Sequence, residues 1–429
     1  MWLQIRSGAW LTSGRARAYP LILLTVSLLF AVIWIALSDR LIDRNGKPIG
    51  TDFSNVWAAG NLVLDGQSTA PYDPARQHEA EQKTFDGREA PFFGWHYPPL
   101  FLIVAAGLAL LPYGWSLLAW MALTLPAYLL VMRAIVPRRE TLLLALAFPA
   151  VFVNLGHGQN GFLTAALLGG GLLLLDQRPT LAGVLIGLLA YKPQFGLLIP
   201  LVLVATARWR VIAAAGTTVL SAGVLTLVLF GPQVWLAFAD STSFTRTVAL
   251  ESGSIGWPKI QSLFSAVRMW GGGIEAAYVA QAALAVVVAA SLVRLWRTPA
   301  AAELKAAAFL CACLLTTPYV FDYDLVVLGV AIAFFARHAL VNRFRDYEIS
   351  LLALAWWTPL IARSVADTGG IPLGLIALLA LYALTLWRAA VDLGTRAPMC
   401  AAASPEAFAV PDQNGVRWRI AADNVPSSR

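Results

Sequence analysis

The sequence predicts an all-α fold, a polytopic helical bundle in a membrane, and three observations carry that expectation. Only 13% of the 429 residues are charged and 59% are apolar, against roughly 25% charged in soluble domains. The mean hydropathy of +0.68 leaves too few charged side chains to clothe a 46.2 kDa chain in water. The net charge of +7 is gathered in short basic clusters at the ends of apolar runs, the pattern of cytoplasmic loops, so nucleic acid is not an expected partner. Three cysteines cannot all pair, and Cys311 and Cys313 inside an apolar run read as small membrane-core residues.

Taken in order, Arg6, Arg15 and Arg17 precede the apolar stretch Tyr19–Leu37, which is long enough to span a bilayer. Ser38-Asp39-Arg40 follows where a cleavable signal would carry small residues, so the stretch is expected to stay as an anchor with its N-terminus in the cytoplasm. The segment 39–97 is the first outer loop; nine acidic and six basic side chains between Asp39 and Trp95 place it outside. Eleven further apolar runs follow between Pro98 and Trp387, giving about 12 spans. Several are short for a hydrocarbon core of ~30 Å, and Pro98, Pro112, Pro126, Pro149, Pro193 and Pro200 predict helices that end or kink inside the membrane. Arg138-Arg139, Arg178, Arg208, Arg294, Arg343 and Arg388 prefer the cytoplasm, which leaves Gly156–Asn160, Tyr191–Gln194, a second large outer loop 231–275 and Pro318–Asp324 outside. Between Pro98 and Pro137, however, two apolar runs stand where this scheme needs an odd number of crossings. Residues 1–397 thus read as one membrane domain and 398–429, polar with Arg417, Arg419 and Arg429, as a flexible cytoplasmic tail.

Within the first outer loop, Phe53, Val56, Trp57, Gly60, Val63 and Leu64 recur at helical spacing and predict an amphipathic helix on the membrane surface. Asp52 stands at its start, either as an N-cap or as a general base for a hydroxyl nucleophile. The loop closes on the aromatic run from Phe92 to Tyr97, which suits a membrane interface and equally suits sugar stacking, with His96 a donor to a phosphate. Lys192, in Tyr191-Lys192-Pro193-Gln194, is the only charge between Leu181 and Val204, and an intramembrane charge is by default a functional residue. Gly156-His157-Gly158-Gln159-Asn160-Gly161 reads either as a glycine turn or, through Gln159 and Asn160, as a reader of sugar hydroxyls. The connector Thr317–Asp324 offers Asp322 and Asp324, which alternate faces if extended; Asp324 also suits a helix cap. No metal site stands out.

The ordered set DFSNVWAAGNLVLDGQSTAPYD, HYPPLF, GHGQNGFLTAALL and LLAYKPQFGLLIP resembles glycosyltransferase family 87, of the GT-C superfamily of integral membrane glycosyltransferases, from Thr51 to Pro200. The resemblance implies a bundle of GT-C type, an active site at the outer membrane face, and a polyprenyl-phosphate-sugar donor, with mannosyl and arabinofuranosyl groups among the family's known substrates. It maps an essential aspartate onto Asp52 and gives Gln159, Asn160, Tyr191, Lys192, Gln194, His96 and Tyr97 substrate-site roles. The loop 231–275 matches a substrate-binding family loop and contributes Lys259. Mycobacterial mannosyltransferases of the family carry histidine in the later connector, where this chain has Tyr319, Asp322, Tyr323 and Asp324. The function expected is transfer of a sugar, mannose first, from polyprenyl phosphate to a lipid-linked or glycan hydroxyl, with inversion. Asp52 would be the base, and Lys192, together with Lys259 or His96, would neutralise the leaving phosphate. No cofactor is expected, and a divalent metal is neither required nor excluded. Alternatives are a transporter or flippase of a lipid-linked sugar, which needs no base, and a lipid-linked polymer ligase. Arginine far outnumbers lysine, which points to a GC-rich bacterium and its inner (plasma) membrane.

Overall fold

A computed structural model describes residues 1–85, 87 and 91–401. They form α1 (Trp2–Ser7), α2 (Ser13–Ala36), α3 (Phe53–Leu64), α4 (Pro74–Thr84), α5 (Leu100–Ala109), α6 (Tyr113–Ile135), α7 (Arg139–Leu146), α8 (Pro149–His157), α9 (Gly161–Leu174) and α10 (Pro179–Leu188). There follow α11 (Ile199–Ala205), α12 (Trp209–Phe230), α13 (Gln233–Arg246), α14 (Leu263–Met269), α15 (Ile274–Trp296), α16 (Ala302–Leu315), α17 (Val326–Asn342), α18 (Glu348–Gly369) and α19 (Leu373–Ala401). Among the described residues no strand forms, and β-pairing is confined to isolated bridges such as Ile260 with Phe321.

Seven helical segments are long and apolar enough to cross a membrane: α2, α6, α12, α15, α17 with its preceding turn, α18 and α19. The pair α7 and α8, bent by 51°, makes an eighth if taken as one span. The remaining apolar runs are short helices, so the expected dozen full spans are not all present. Of the two runs between Pro98 and Pro137, α5 has 10 residues, about 15 Å at 1.5 Å per residue, and only α6 is long enough to cross. The run Leu181–Val204 is likewise broken, where the turn Leu189–Tyr191 meets Lys192 and Pro193. Proline removes a helix donor and clashes with the preceding turn, and both breaks sit beside prolines. The expected tail begins as helix, since α19 continues to Ala401; residues 402–429 lie outside the described residues.

The bundle is organised around α16 and α17, whose apolar residues cover all sides and are buried almost throughout, Cys311 and Cys313 included. The opposite holds for α2 and α12, which carry most of their leucine, valine and isoleucine side chains exposed, as lipid-facing helices do. At the base of α19, Arg388 is 1% exposed and reaches both carboxylate oxygens of Glu348 at 2.7 and 2.8 Å, joining α18 to α19.

The helix α3 departs from a simple surface amphipath. Its first two turns bury Ser54, Asn55 and Gly60 as well as Phe53, Val56, Ala58 and Ala59, because α4 and α5 both pack on it. Trp57 Nε1 donates to the Leu111 carbonyl at 2.9 Å and the Tyr113 hydroxyl to that of Ile49 at 2.7 Å, tying α3 and the segment before it to the membrane bundle. Gly60 makes the contact possible, since a Cβ there would lie on the backbone carbonyl of Ala105. Gly60→Ala is therefore expected to cost about 1–3 kcal/mol, as overpacking does, and to lower the thermal midpoint of the purified chain; an unchanged midpoint would show that α3 and α5 can part without loss.

Candidate active site

Asp52 precedes α3 but does not cap it: its carboxylate accepts no hydrogen bond from the first-turn amides. It is 8% exposed and turns instead toward the ends of other elements. Gln159 Nε2 donates to Asp52 Oδ2 at 3.0 Å, His157 Nδ1 stands 3.6 Å from Oδ1, and Lys259 Nζ stands 3.6 Å from Oδ2. His157 is held by Thr51 Oγ1 at 2.7 Å from the same Nδ1. Burial pushes the Asp52 carboxyl up, but Lys259, then His157, then the Gln159 hydrogen bond together outweigh it and hold the group well below the usual carboxylate range. Asp52 is an anion whose oxygens face cations and donors.

His157 ends α8 and Asn160 precedes α9, so two short helices meet at this point, joined by a tight turn. The turn depends on Gly158, whose φ of +61° is left-handed and whose missing side chain leaves room for Phe53, 2.6 Å from where a Cβ would stand. Gly161, Asn154 and Gln159 lock it, with Asn154 Nδ2 donating to the Gln159 carbonyl at 2.9 Å and Gly161 N donating to Asn154 Oδ1 at 2.9 Å.

A directional hydrogen-bond chain runs behind the carboxylate. Lys192 Nζ donates to Asp324 Oδ1 at 2.6 Å and to Asn160 Oδ1 at 3.0 Å. With its oxygen so engaged, the Asn160 amide presents Nδ2 to the Tyr97 hydroxyl at 2.8 Å. That hydroxyl donates to Gln159 Oε1 at 3.1 Å, which leaves Gln159 Nε2 to face Asp52. Each amide is oriented by the group behind it. Lys192 and Asp324 have side chains 4% and 0% exposed, and the ammonium also lies 5.1 Å from the Tyr323 ring and 5.2 Å from that of Phe195. Asp324 accepts from the Phe321 amide at 3.0 Å as well, so it does cap its own turn. Tyr191 supports the chain from below, its hydroxyl 2.7 Å from Thr164 Oγ1 and its ring stacked on Phe101.

The second large loop closes over the site. Lys259 ends the turn Trp257–Lys259, and pairing of Gln261 N with the Val320 carbonyl at 2.7 Å holds that turn against the connector. The ammonium sits 5.8 Å from the Tyr323 ring and 6.0 Å from that of Phe321, with 12% of the side chain exposed. From α13, Thr245 Oγ1 meets His96 Nδ1 at 2.8 Å. Burial pushes the His96 imidazole down to about 4 against the pull of Asp52, so His96 is neutral at pH 7. Beneath the strap 91–97, Glu81 Oε2 accepts from the Phe93 amide at 2.9 Å, and Gln77 Nε2 reaches both Glu81 Oε1 and the Asn55 carbonyl, at 3.3 and 3.0 Å. Glu81 thus joins α4 to the strap and, through Gln77, to α3; burial, offset in part by these hydrogen bonds, raises its carboxyl to about 8.

Of the residues singled out from sequence, Asp52, Gln159, Asn160, Tyr97, Lys192, Lys259 and Asp324 therefore form one connected cluster, with His96 and Tyr191 at its edges. Tyr319 packs with Ile260 and Phe264 around the loop. Asp322 faces Arg363 on α18 at 3.6 Å, while Gln194 is half-buried beside the helix break. The sequence reading passed over His157, Thr51, Thr245 and Glu81. His157 had a visible signal, a histidine flanked by glycines in a chain with four histidines; Thr51 in a loop, Glu81 on α4 and Thr245 on α13 carry no such signal until folding brings them in. Among the described residues, no group of three or more His, Cys, Asp or Glu is placed to hold a metal ion.

The family model for glycosyltransferase family 87 matches residues 95–318, just over half of the chain. The match takes in His157, Gln159, Asn160, Lys192 and Lys259, and Asp52 and Asp324 lie outside it. No curated protein and no solved structure matches.

Two outcomes follow from this geometry. Lys192→Met strands Asp324 as a buried anion and is expected to cost about 3–5 kcal/mol, whereas Lys192→Met with Asp324→Leu recovers most of it; calorimetric midpoints of both variants check this. Glu81 keeps its proton in the folded state up to about pH 8, while an unfolded glutamate loses it near its usual value of about 4.3. The unfolded state then binds fewer protons between these limits, so this contribution to stability is full below about pH 4.3 and is lost as pH rises toward 8. In Glu81→Gln the fall in midpoint across that window should be visibly shallower.

Proposed function

The chain belongs to glycosyltransferase family 87, and from that premise we propose that it transfers a sugar, mannose the first candidate, from a polyprenyl-phosphate donor to a lipid-linked or glycan hydroxyl. The observation that carries this reading is the pairing of an oriented carboxylate, Asp52, with an ammonium, Lys259, 3.6 Å away. A base and an anion site side by side are what displacement at a glycosyl phosphate requires. The acceptor O–H gives its proton to Asp52 as its oxygen forms a bond to the anomeric carbon; the bond from that carbon to the phosphate oxygen breaks, and the electron pair leaves with the lipid monophosphate. Attack opposite the leaving group inverts the anomeric centre.

Lys259 suits the phosphate better than Lys192 does, because Lys192 is already engaged by Asp324 and Asn160. Neutral His96 and the second N–H of the Gln159 and Asn160 amides, whose first N–H groups go to Asp52 and Tyr97, are the groups offered to sugar hydroxyls. The chemistry between the two developing charges is electrostatic, carried by groups fixed before substrate arrives. The site would lie at the outer face of a bacterial inner membrane. That orientation is supported by the opposite end of the bundle, where Arg17 meets Glu140, Arg208 meets Asp176 and Arg345 meets Asp392 among the arginine-rich connectors.

Purified protein in lipid should transfer radiolabelled mannose from polyprenyl-phosphate mannose into a chromatographically distinct product. Asp52→Asn should lower that rate by about 10²–10⁴-fold, the range for loss of a general base. Equal rates for the two proteins would remove Asp52 from the chemistry.

A further inference from the structure

Lys259 and Lys192 lie in one cluster, yet they are held in opposite ways. Lys192 makes short hydrogen bonds to Asp324 and Asn160 and is 3% exposed. The Lys259 ammonium, among the described residues, makes no hydrogen bond; it stands 3.6 Å from Asp52 Oδ2 and 6.0 and 5.8 Å from the ring centroids of Phe321 and Tyr323. An ammonium carries three donors, so Lys259 keeps its hydrogen-bonding capacity while its charge is balanced at a distance. The turn that bears it belongs to the loop, whereas Asp52 is fixed from the bundle side by Gln159.

Resting on the donor reading above, we propose that Lys259 exchanges partners: it balances Asp52 in the empty site and is drawn to the phosphate when the polyprenyl-phosphate sugar binds, so that donor binding itself frees Asp52 to act as a base. The charged and titratable groups facing Asp52 are Lys259 from the loop, His157 from the end of α8 and His96 from the strap, with Tyr97 and Tyr323 beside them and the Lys192–Asp324 pair behind. Lys259 contributes the largest of the attractions that hold Asp52 ionised. Its withdrawal therefore acts on the carboxylate more than the loss of any other neighbour would, and raises its affinity for the acceptor's proton only once a donor is in place. Paired with Lys259, Asp52 is a poor base, which disfavours idle proton transfer with water; once the donor phosphate has drawn Lys259 away it is a better one.

The exchange makes Asp52 and the phosphate competitors for one ammonium, which binding can measure without turnover. The probe is undecaprenyl monophosphate, titrated against the full chain in nanodiscs, for wild type, Asp52→Asn, Lys259→Met and the double variant. Wild type should bind it, Lys259→Met should weaken binding by about tenfold, and Asp52→Asn should tighten it by about tenfold. In the double variant, the tightening from Asp52→Asn should shrink to about threefold or less, because only charge repulsion is then relieved. A tightening as large or larger in the Lys259→Met background would mean that Lys259 bridges both anions, and would overturn the exchange while leaving the donor reading intact. Binding that is absent in wild type would overturn the donor reading and the exchange with it, whereas binding indifferent to Lys259 would overturn the exchange alone. Lys259→Gln replaces Lys259→Met if the latter is not monodisperse.

Discussion

The buried pair of Lys192 and Asp324 is the constraint on which the site depends. Taking two charges out of water is costly, and the attraction between them repays the cost only when the remaining donors and acceptors are satisfied. Here Asp324 takes a backbone amide, and Lys192 turns a second donor to Asn160 and lies against the rings of Phe195 and Tyr323. Satisfying Lys192 fixes the Asn160 amide, which fixes the Tyr97 hydroxyl, which fixes Gln159 and so the direction of the donor at Asp52. An ion pair that adds little to stability is thereby converted into the orientation of a carboxylate several residues away.

Short helices make that arrangement possible. A helix that crosses a membrane satisfies its own backbone and offers side chains along one face, whereas a helix that ends within the protein brings its last residues and a turn to one point. α8 ends at His157, α9 begins after Asn160, and α10 gives way to the break at Lys192. The turn 322–325 packs on the ends of α8 and α9, and α5 on the turn at Leu189–Tyr191, so the polar connectors between them meet protein partners. The loop 231–275 adds one further side, where Thr245 is hydrogen-bonded to His96 and the Lys259 ammonium approaches Asp52 only to 3.6 Å. Asp52 is fixed from the bundle side by Gln159, and Lys259 reaches it from the loop side without a hydrogen bond between them.

Much of this was readable along the chain. Lys192 stood out because a lone charge in an apolar run must have a partner, and Asp52, Gln159 and Asn160 stood out in polar connectors of a chain with few of them. The partner of Lys192 could not be read, since Asp324 is 132 positions away and two carboxylates in the connector were equal candidates. The alternatives at Asp52, cap or functional carboxylate, are equally consistent with its place before a helix; the absence of a bond to the first-turn amides removes the cap. Glu81 looked like one more charge on a polar helix, because burial is a property of what packs on a residue and not of the residue.

What the sequence by itself determined is the class of the molecule and its repertoire. Composition and apolar runs demand a helical membrane bundle, prolines mark where helices must stop, and the polar residues left in the connectors limit which side chains can do chemistry. What only the tertiary structure decided is which runs are full crossings, which lysine is bound and which is loosely held, and that His157 completes the surroundings of Asp52. The physical reason is that hydropathy and helix termination are local properties, carried by neighbours in the chain, while the pairing of charges depends on distances set by how α3, α8, α9 and the loop 231–275 pack together.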